Sequence, residues 1–218
     1  HLLQPLLPFL AQGLSIPSCA SAAAMSIKEL CECSNQQITM AEPVLQLYTE
    51  ITSSTGHLEL KDELEVLEGV CKAISRQVKE TGVDGTSYVQ RIVQPIGNRF
   101  AAAANGPNCK PNRDIFPELD RLTTMVRFLN VTVQPTAGTT HPMIGVTQSI
   151  WQLLDAASVR FPHDNTLAEK ICRFHKHTLR SCGAVMYEPM LEPLMKEIIE
   201  SYQRSRQSAY LYAASICI

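Results

Sequence analysis

Charge of neither sign dominates this chain: 19 Lys and Arg stand against 21 Asp and Glu, a formal net charge of −2 in 218 residues. Gripping nucleic acid through its phosphates requires a basic face, so no direct nucleic-acid partner is expected. The uncharged stretch Ala209–Ile218 is too short to span a bilayer, which takes about 20 apolar residues, and no membrane partner is expected. No charged leader with a cleavage site opens the chain, so no signal peptide is expected. Alternation of apolar and polar residues never persists and β-branched runs are short, which argues against strands. A Ser/His/Asp set, a P-loop, a dinucleotide fingerprint and a His-Glu-x-x-His motif are all missing. Enzyme chemistry has no sequence support, and no catalytic residue, cofactor or metal is expected.

What is present is a globular composition, 45% apolar and 18% charged. The eight cysteines (19, 31, 33, 71, 109, 172, 182 and 217) mostly fall at apolar positions of helical patterns. Free Cys behaves there as a small hydrophobe, which suits a reducing compartment. His1 opens directly onto Leu2-Leu3 and the chain stops on Ile216-Cys217-Ile218, so an interior piece of a longer protein is expected.

A short signature recurs: a polar residue, Pro, then apolar residues. It reads Gln4-Pro5-Leu6-Leu7, Glu42-Pro43-Val44-Leu45, Gln94-Pro95-Ile96, His141-Pro142-Met143-Ile144 and Glu192-Pro193-Leu194-Met195. The step of roughly 40–50 residues is the repeat length of HEAT-type helical hairpins. Each Pro is expected to open, or lie near the start of, a B helix. One A helix is expected between successive B helices, over about 18–34, 58–79, 114–130 and 164–182, with a fifth beginning near Gln207. The second A helix carries the stripe Leu60, Leu64, Leu67, Cys71, Ile74, Val78. The third has Asp114 as its expected N-cap and Leu119, Leu122, Val126 and Leu129 inward.

The pair over 140–183 organises the rest. Pro142 in the opening turn costs nothing, because its missing N–H has no helical partner there. Met143, Ile144, Ile150, Trp151, Leu154 and Ala157 form the apolar face, and the helix should stop before Pro162. Asp164 or Asn165 caps the next helix, whose inward residues are Leu167, Ile171, Phe174, Leu179 and Cys182, and Gly183 ends it. Two helices cannot bury both of their apolar faces alone, so a like unit is needed on each side.

Several motifs are read as structural. Cys172-x-x-His175-x-His177 has metal-like spacing, but on a helix His177 points away from the other two. Lys61-Asp62-Glu63-Leu64 resembles a retention signal but is internal, and is expected to be the solvated start of a helix. Lys170, Arg173, His177 and Arg180 form a basic stripe, readable as a solvated face or as a site for an acidic or phosphorylated partner. Asn130-Val131-Thr132 matches a glycosylation sequon, a triplet common by chance.

Thr140-His141-Pro142, Ile150-Trp151, Asn165, Cys172-Arg173, Arg180-Ser181-Cys182-Gly183, Glu192-Pro193-Leu194, Tyr202 and Tyr210-Leu211-Tyr212-Ala213-Ala214-Ser215-Ile216 occur in one collinear order. With Leu119-Asp120-Arg121-Leu122, Arg127 and Ala20-Ser21-Ala22-Ala23-Ala24, they resemble the central part of the transportin-SR family of importin-β-type receptors. That resemblance, like the repeat, implies an all-α, right-handed α-solenoid of HEAT-type hairpins: 1–218 as one segment of about four hairpins with a partial one at each end. It further implies nuclear import of SR-type splicing factors, release of cargo on Ran-GTP, contact with Phe-Gly nucleoporins, and shuttling between cytoplasm and nucleus. Arg204-Ser205-Arg206 is a small basic patch and does not match the family's arginine-rich cargo helix. A HEAT scaffold with no Ran dependence is the alternative. In HEAT arrays the B helices line the concave side, so the expected partner-binding positions are Arg91, Gln148, Gln152, Asp155, Glu192, Lys196, Glu200 and Arg204.

Overall fold

The computed structural model describes residues 3–33, 40–53, 58–131, 142–182 and 184–217. Among them every regular element is helical: α1 (Leu3–Leu14), α2 (Ala20–Cys33), α3 (Ala41–Ser53), α4 (Leu60–Thr81), α5 (Thr86–Asn105), a π-helical turn (Pro111–Ile115), α6 (Phe116–Phe128), α7 (Pro142–Arg160), α8 (Asn165–Cys182), α9 (Ala184–Ser205) and α10 (Ser208–Ile216). The architecture is an all-α, HEAT-like solenoid fragment. The expected A helices are α2, α4, α6, α8 and α10, and α7 ends two residues before Pro162.

Three local expectations are corrected. Pro43 and Pro142 stand in the first turn of α3 and α7, but Pro95 and Pro193 stand in the middle of α5 and α9. Both helices begin nine residues before their proline, and in α5 the apolar Val89 and Ile92 continue the buried face ahead of Pro95. Asp114 does not cap α6. It lies in the π-helical turn, where its carboxylate accepts the Lys110 N–H at 2.8 Å and pairs with Arg113. Asp62 and Glu63 are buried, not solvated, and Tyr48 of α3 donates its hydroxyl hydrogen to Glu63 Oε1. Gly183, the expected stop of α8, lies outside the described residues.

The chain divides into two compact units, His1–Gly85 with Phe128–Thr132, and Thr86–Arg127 with Val133–Ile218. In the first, α2 packs on α1 and α4, and α4 also packs on α3. Leu67, Cys71, Ile74 and Val78 are buried as the stripe requires, while Leu60 and Leu64 are half-buried. The helices cross closely at Gly69, where a Cβ would stand 2.9 Å from the Lys28 Cα. Lys28 pairs with Glu65, and Lys72 bridges Glu32 and Glu68. Arg76 donates to the Glu32 carbonyl at 2.6 Å, near the C-terminal end of α2. At the far end of α4, Gly82 adopts φ 68° and returns its N–H to the Val78 carbonyl, a conformation suited to glycine.

In the second unit the B helices α5, α7 and α9 contact one another in order, and the A helices α8 and α10 pack side by side. Phe174, Ile150, Leu154, Leu167 and Ile171 fill the interior. Arg160, near the end of α7, donates to the Ala104 and Gly106 carbonyls, which closes the C-terminal end of α5. Asp164 caps α8 by accepting the Leu167 N–H at 2.9 Å. Gln207 donates to the Pro162 carbonyl at 2.9 Å and ties the start of α10 to the α7–α8 turn.

Candidate functional site

The eight expected partner-binding residues do not converge on one place. On α9, Glu192, Lys196, Glu200 and Arg204 are all exposed and lie four residues apart. Their signs alternate, and Lys196 Nζ stands 3.9 Å from Glu200 Oε1. Such a row largely neutralises itself along its own helix. Asp155 of α7 is half-buried, and its charge acts on Glu197 of α9. Arg91 and Gln148 are exposed on α5 and α7, and Gln152 lines a groove between those helices.

That groove encloses about 720 Å³. Gln90, Gln94 and Asn98 form one wall from α5, with Ser149 and Gln152 opposite on α7. The buried side chains of Val89, Val93, Val146 and Ile150 contribute its apolar lining. None of the described residues that line it carries a charge. Of its lining only Gln152 is among the expected positions, while Gln90, Gln94 and Asn98 recur at i, i+4, i+8 and are legible in the sequence as one helical stripe.

The basic stripe of α8 is rearranged relative to expectation. Lys170 is withdrawn from it by an ion pair with Asp120 of α6. Lys176, which the sequence reading left out, joins instead and donates to the Tyr212 hydroxyl of α10 at 2.9 Å. Arg173 and Arg180 are exposed and make no ion pair among the described residues. His177 is held below its ordinary pKa by partial burial and then by the surrounding cations Arg127, Lys176, Arg180 and Arg173. The Lys176 hydrogen bond lowers the pKa of Tyr212. Beside these groups a cleft of about 460 Å³ opens between α8 and α10, with Arg173, Lys176 and Tyr212 on its walls and Glu169 as its acid. The face therefore presents positive charge next to an exposed aromatic ring, which suits an anionic group on a peptide.

In the metal-like triplet Cys172 and His175 line one small interior space, and His177 is turned away from both. Cys172 is buried against α9 and α10 side chains, His177 faces the cations just named, and His175 lies in the interior. The His175 ring sits 5.0 Å from that of Trp151, and its Nε2 is 3.9 Å from Glu197 Oε1. Burial pushes His175 down to about 4. Burial, reinforced by the Asp155 charge, pushes Glu197 up to about 8. The two groups are accordingly neutral together at pH 7.

Residues 141–218 match the family model described as the Transportin-3/Importin-13 fourth TPR domain. A solved structure of importin-13 in its cytosolic state superposes with a TM-score of 0.73 at 20% identity, over 96% of this chain and 23% of that one. At this identity the likeness is one of fold, and this chain spans about a quarter of that protein's length.

Proposed function

We propose that this chain is part of a karyopherin-type nuclear transport receptor that carries SR-type, RNA-binding cargo and releases it on Ran-GTP. The match over 141–218 and the solenoid fold support the receptor class. The single observation that carries the cargo reading is the basic face of α8. Arg173, Lys176 and Arg180, with His177 beside them, make no ion pair among the described residues and outnumber Glu169, the acid on the same cleft wall. Phosphorylated serines bring close to two negative charges each and several acceptor oxygens, and an arginine fork pairs with them bidentately. As an A helix, α8 lies on the side away from the concave face, so this contact would be made by a cargo segment that reaches the outer surface of the solenoid. Phe-Gly nucleoporins would meet the receptor during passage, and the receptor would shuttle between cytoplasm and nucleus as a carrier, not a catalyst. Arg91, Gln148, Gln152, Asp155, Glu192, Lys196, Glu200 and Arg204 are assigned to secondary contacts with cargo or Ran.

The test is capture from nuclear extract by the complete protein, with and without Ran locked in its GTP state. Phosphorylated Arg-Ser proteins should bind and should leave when Ran-GTP is added. Phosphatase treatment, or the variant R173E/R180E, should weaken capture at least tenfold. Partners that stay bound regardless of Ran would place the chain in a scaffold of a multisubunit complex. Reversing Arg91, Lys196 and Arg204 without loss of cargo or Ran binding would dismiss the secondary contacts alone.

A further inference from the structure

We infer that the groove between α5 and α7 binds an extended, uncharged stretch of a partner polypeptide by reading its main chain. The argument starts from spacing. Gln90, Gln94 and Asn98 stand on one stripe of α5, four residues apart, and an α-helix rises about 1.5 Å per residue. Successive amides are thus spaced by about 6 Å. An extended chain presents equivalent backbone groups to the same side every second residue, about 6.6 Å apart. Over the two intervals of the row the mismatch is on the order of 1 Å, which rotation of the long amide side chains absorbs.

The chemistry agrees with the spacing. A carboxamide both donates and accepts, as does each peptide unit. Gln90, Gln94, Asn98 and Gln152 are exposed, and none is engaged in a hydrogen bond with another described residue. A side chain pointing from the peptide into the groove would meet Val89, Val93, Val146 and Ile150. Gly97 and Gly145 face each other's helix across the same groove, and a Cβ at either would meet nothing within 4 Å. The space they leave admits a backbone close to both helices.

Charge selects the occupant. The described lining is wholly neutral, so a charged side chain would find no ionic partner on it, whereas neutral groups lose nothing there. The occupant is therefore a segment with small apolar residues at alternate positions and neutral polar residues between them. Because the wall reads peptide units, affinity should tolerate changes of side chain that keep this pattern. The site is separate from the basic face of α8, and the inference does not rest on the transport reading.

The experiment uses the complete protein and an acetylated, amidated ten-residue peptide that alternates valine and serine. Binding is followed by calorimetry and by the side-chain amide NMR signals of the groove. The peptide should bind and shift the Gln90, Gln94 and Asn98 signals. N-methylation of every second peptide nitrogen on the hydrogen-bonded edge should weaken binding at least tenfold. Q90A/Q94A/N98A should do likewise with its circular dichroism unchanged, since the positions are exposed and Ala favours helix. G145L should block the groove independently. No binding, binding indifferent to N-methylation on either edge, or binding unaffected by both variants would overturn the inference. So would a change of oligomeric state in G145L, which would assign the groove to a second copy.

Discussion

His175 Nε2 of α8 and Glu197 Oε1 of α9 stand 3.9 Å apart in the interior of the second unit, and neither is charged at neutral pH. Trp151 of α7 lies against His175, and the charges of Asp155 from α7 and of Arg204 and Glu200 from the exposed row of α9 act on Glu197. His175 Nε2 and Glu197 Oε2 receive no hydrogen bond from the described residues. Removing two polar groups from water without firm partners costs stability, and the cost grows whenever either is forced to charge.

That relationship predicts a stability optimum in mildly acidic solution. Glu197 keeps its proton in the folded chain between its ordinary 4.5 and about 8, where the unfolded chain has lost it. Stability from this group is whole below 4.5 and falls as pH rises toward 8. His175 is unprotonated in the folded chain down to about 4, whereas its ordinary value is 6.5. Stability from this group is whole above 6.5 and falls as pH drops toward 4. Between 4.5 and 6.5 the two slopes oppose each other. Above 6.5 only Glu197 acts, with a limiting slope of about 1.4 kcal/mol per pH unit. Denaturant unfolding from pH 4 to 9 should show the decline above 6.5, and Glu197→Gln should remove it. An unchanged alkaline limb in that variant would refute the assignment.

Gly69 predicts a second outcome. A Cβ there would press on the Lys28 Cα, which is backbone and cannot swing aside. Gly69→Val should destabilise the chain by about 2 kcal/mol through separation of α2 and α4, despite the better helix propensity of a residue with a side chain. The midpoint of urea unfolding measures it. Gly97→Ala, on an open helix face, is the control and should be neutral or stabilising.

Much of this fold can be read from the chain, for a physical reason. Apolar period and proline spacing report local facts, and each hairpin of a solenoid depends on little else. Leu119, Leu122, Val126 and Leu129 are all buried where the period puts them. What sequence could not supply were pairings between helices. Lys170 looks equivalent to Arg173 until Asp120 of α6 is brought against it. Asp62 and Glu63 look solvated until Tyr48 covers Glu63 from α3. Pro95 looks like a helix start because inside a helix its ring removes a hydrogen bond and crowds the preceding turn, but the buried residues ahead of it outweigh that loss. The groove of α5 and α7 was half visible: the amide row is in the sequence, but the opposing wall is not.

Arg160 predicts a third outcome. Its guanidinium holds the Ala104 carbonyl in the last turn of α5 and the Gly106 carbonyl just beyond it, which also accepts the Cys109 N–H. Arg160→Ala should cost about 1–2 kcal/mol, as expected for hydrogen bonds from a charged donor at a partly exposed site. Arg160→Lys should recover little of it, because an ammonium cannot span two carbonyls as a fork does. Amide exchange of the last turn of α5 should accelerate in both variants, and unchanged protection there would refute the role.

The basic face of α8 predicts the fourth. Exposed charges gain affinity chiefly through long-range attraction, so binding of an acidic or phosphorylated peptide should weaken steeply with salt. Between 50 and 200 mM salt a loss of roughly tenfold is expected, whereas the peptide in the α5–α7 groove should be nearly indifferent over the same range. His177 supplies a local readout. Burial and its cationic neighbours hold its pKa down, so an anion seated among Arg173, Lys176 and Arg180 must raise it. NMR titration of the imidazole with and without a phosphoserine peptide measures the shift. A His177 pKa that does not move on saturation would mean that the anion sits elsewhere, whatever the affinity. A rise abolished by R173E/R180E would locate the anion on this face, since the same two arginines would then set both the field at His177 and the binding.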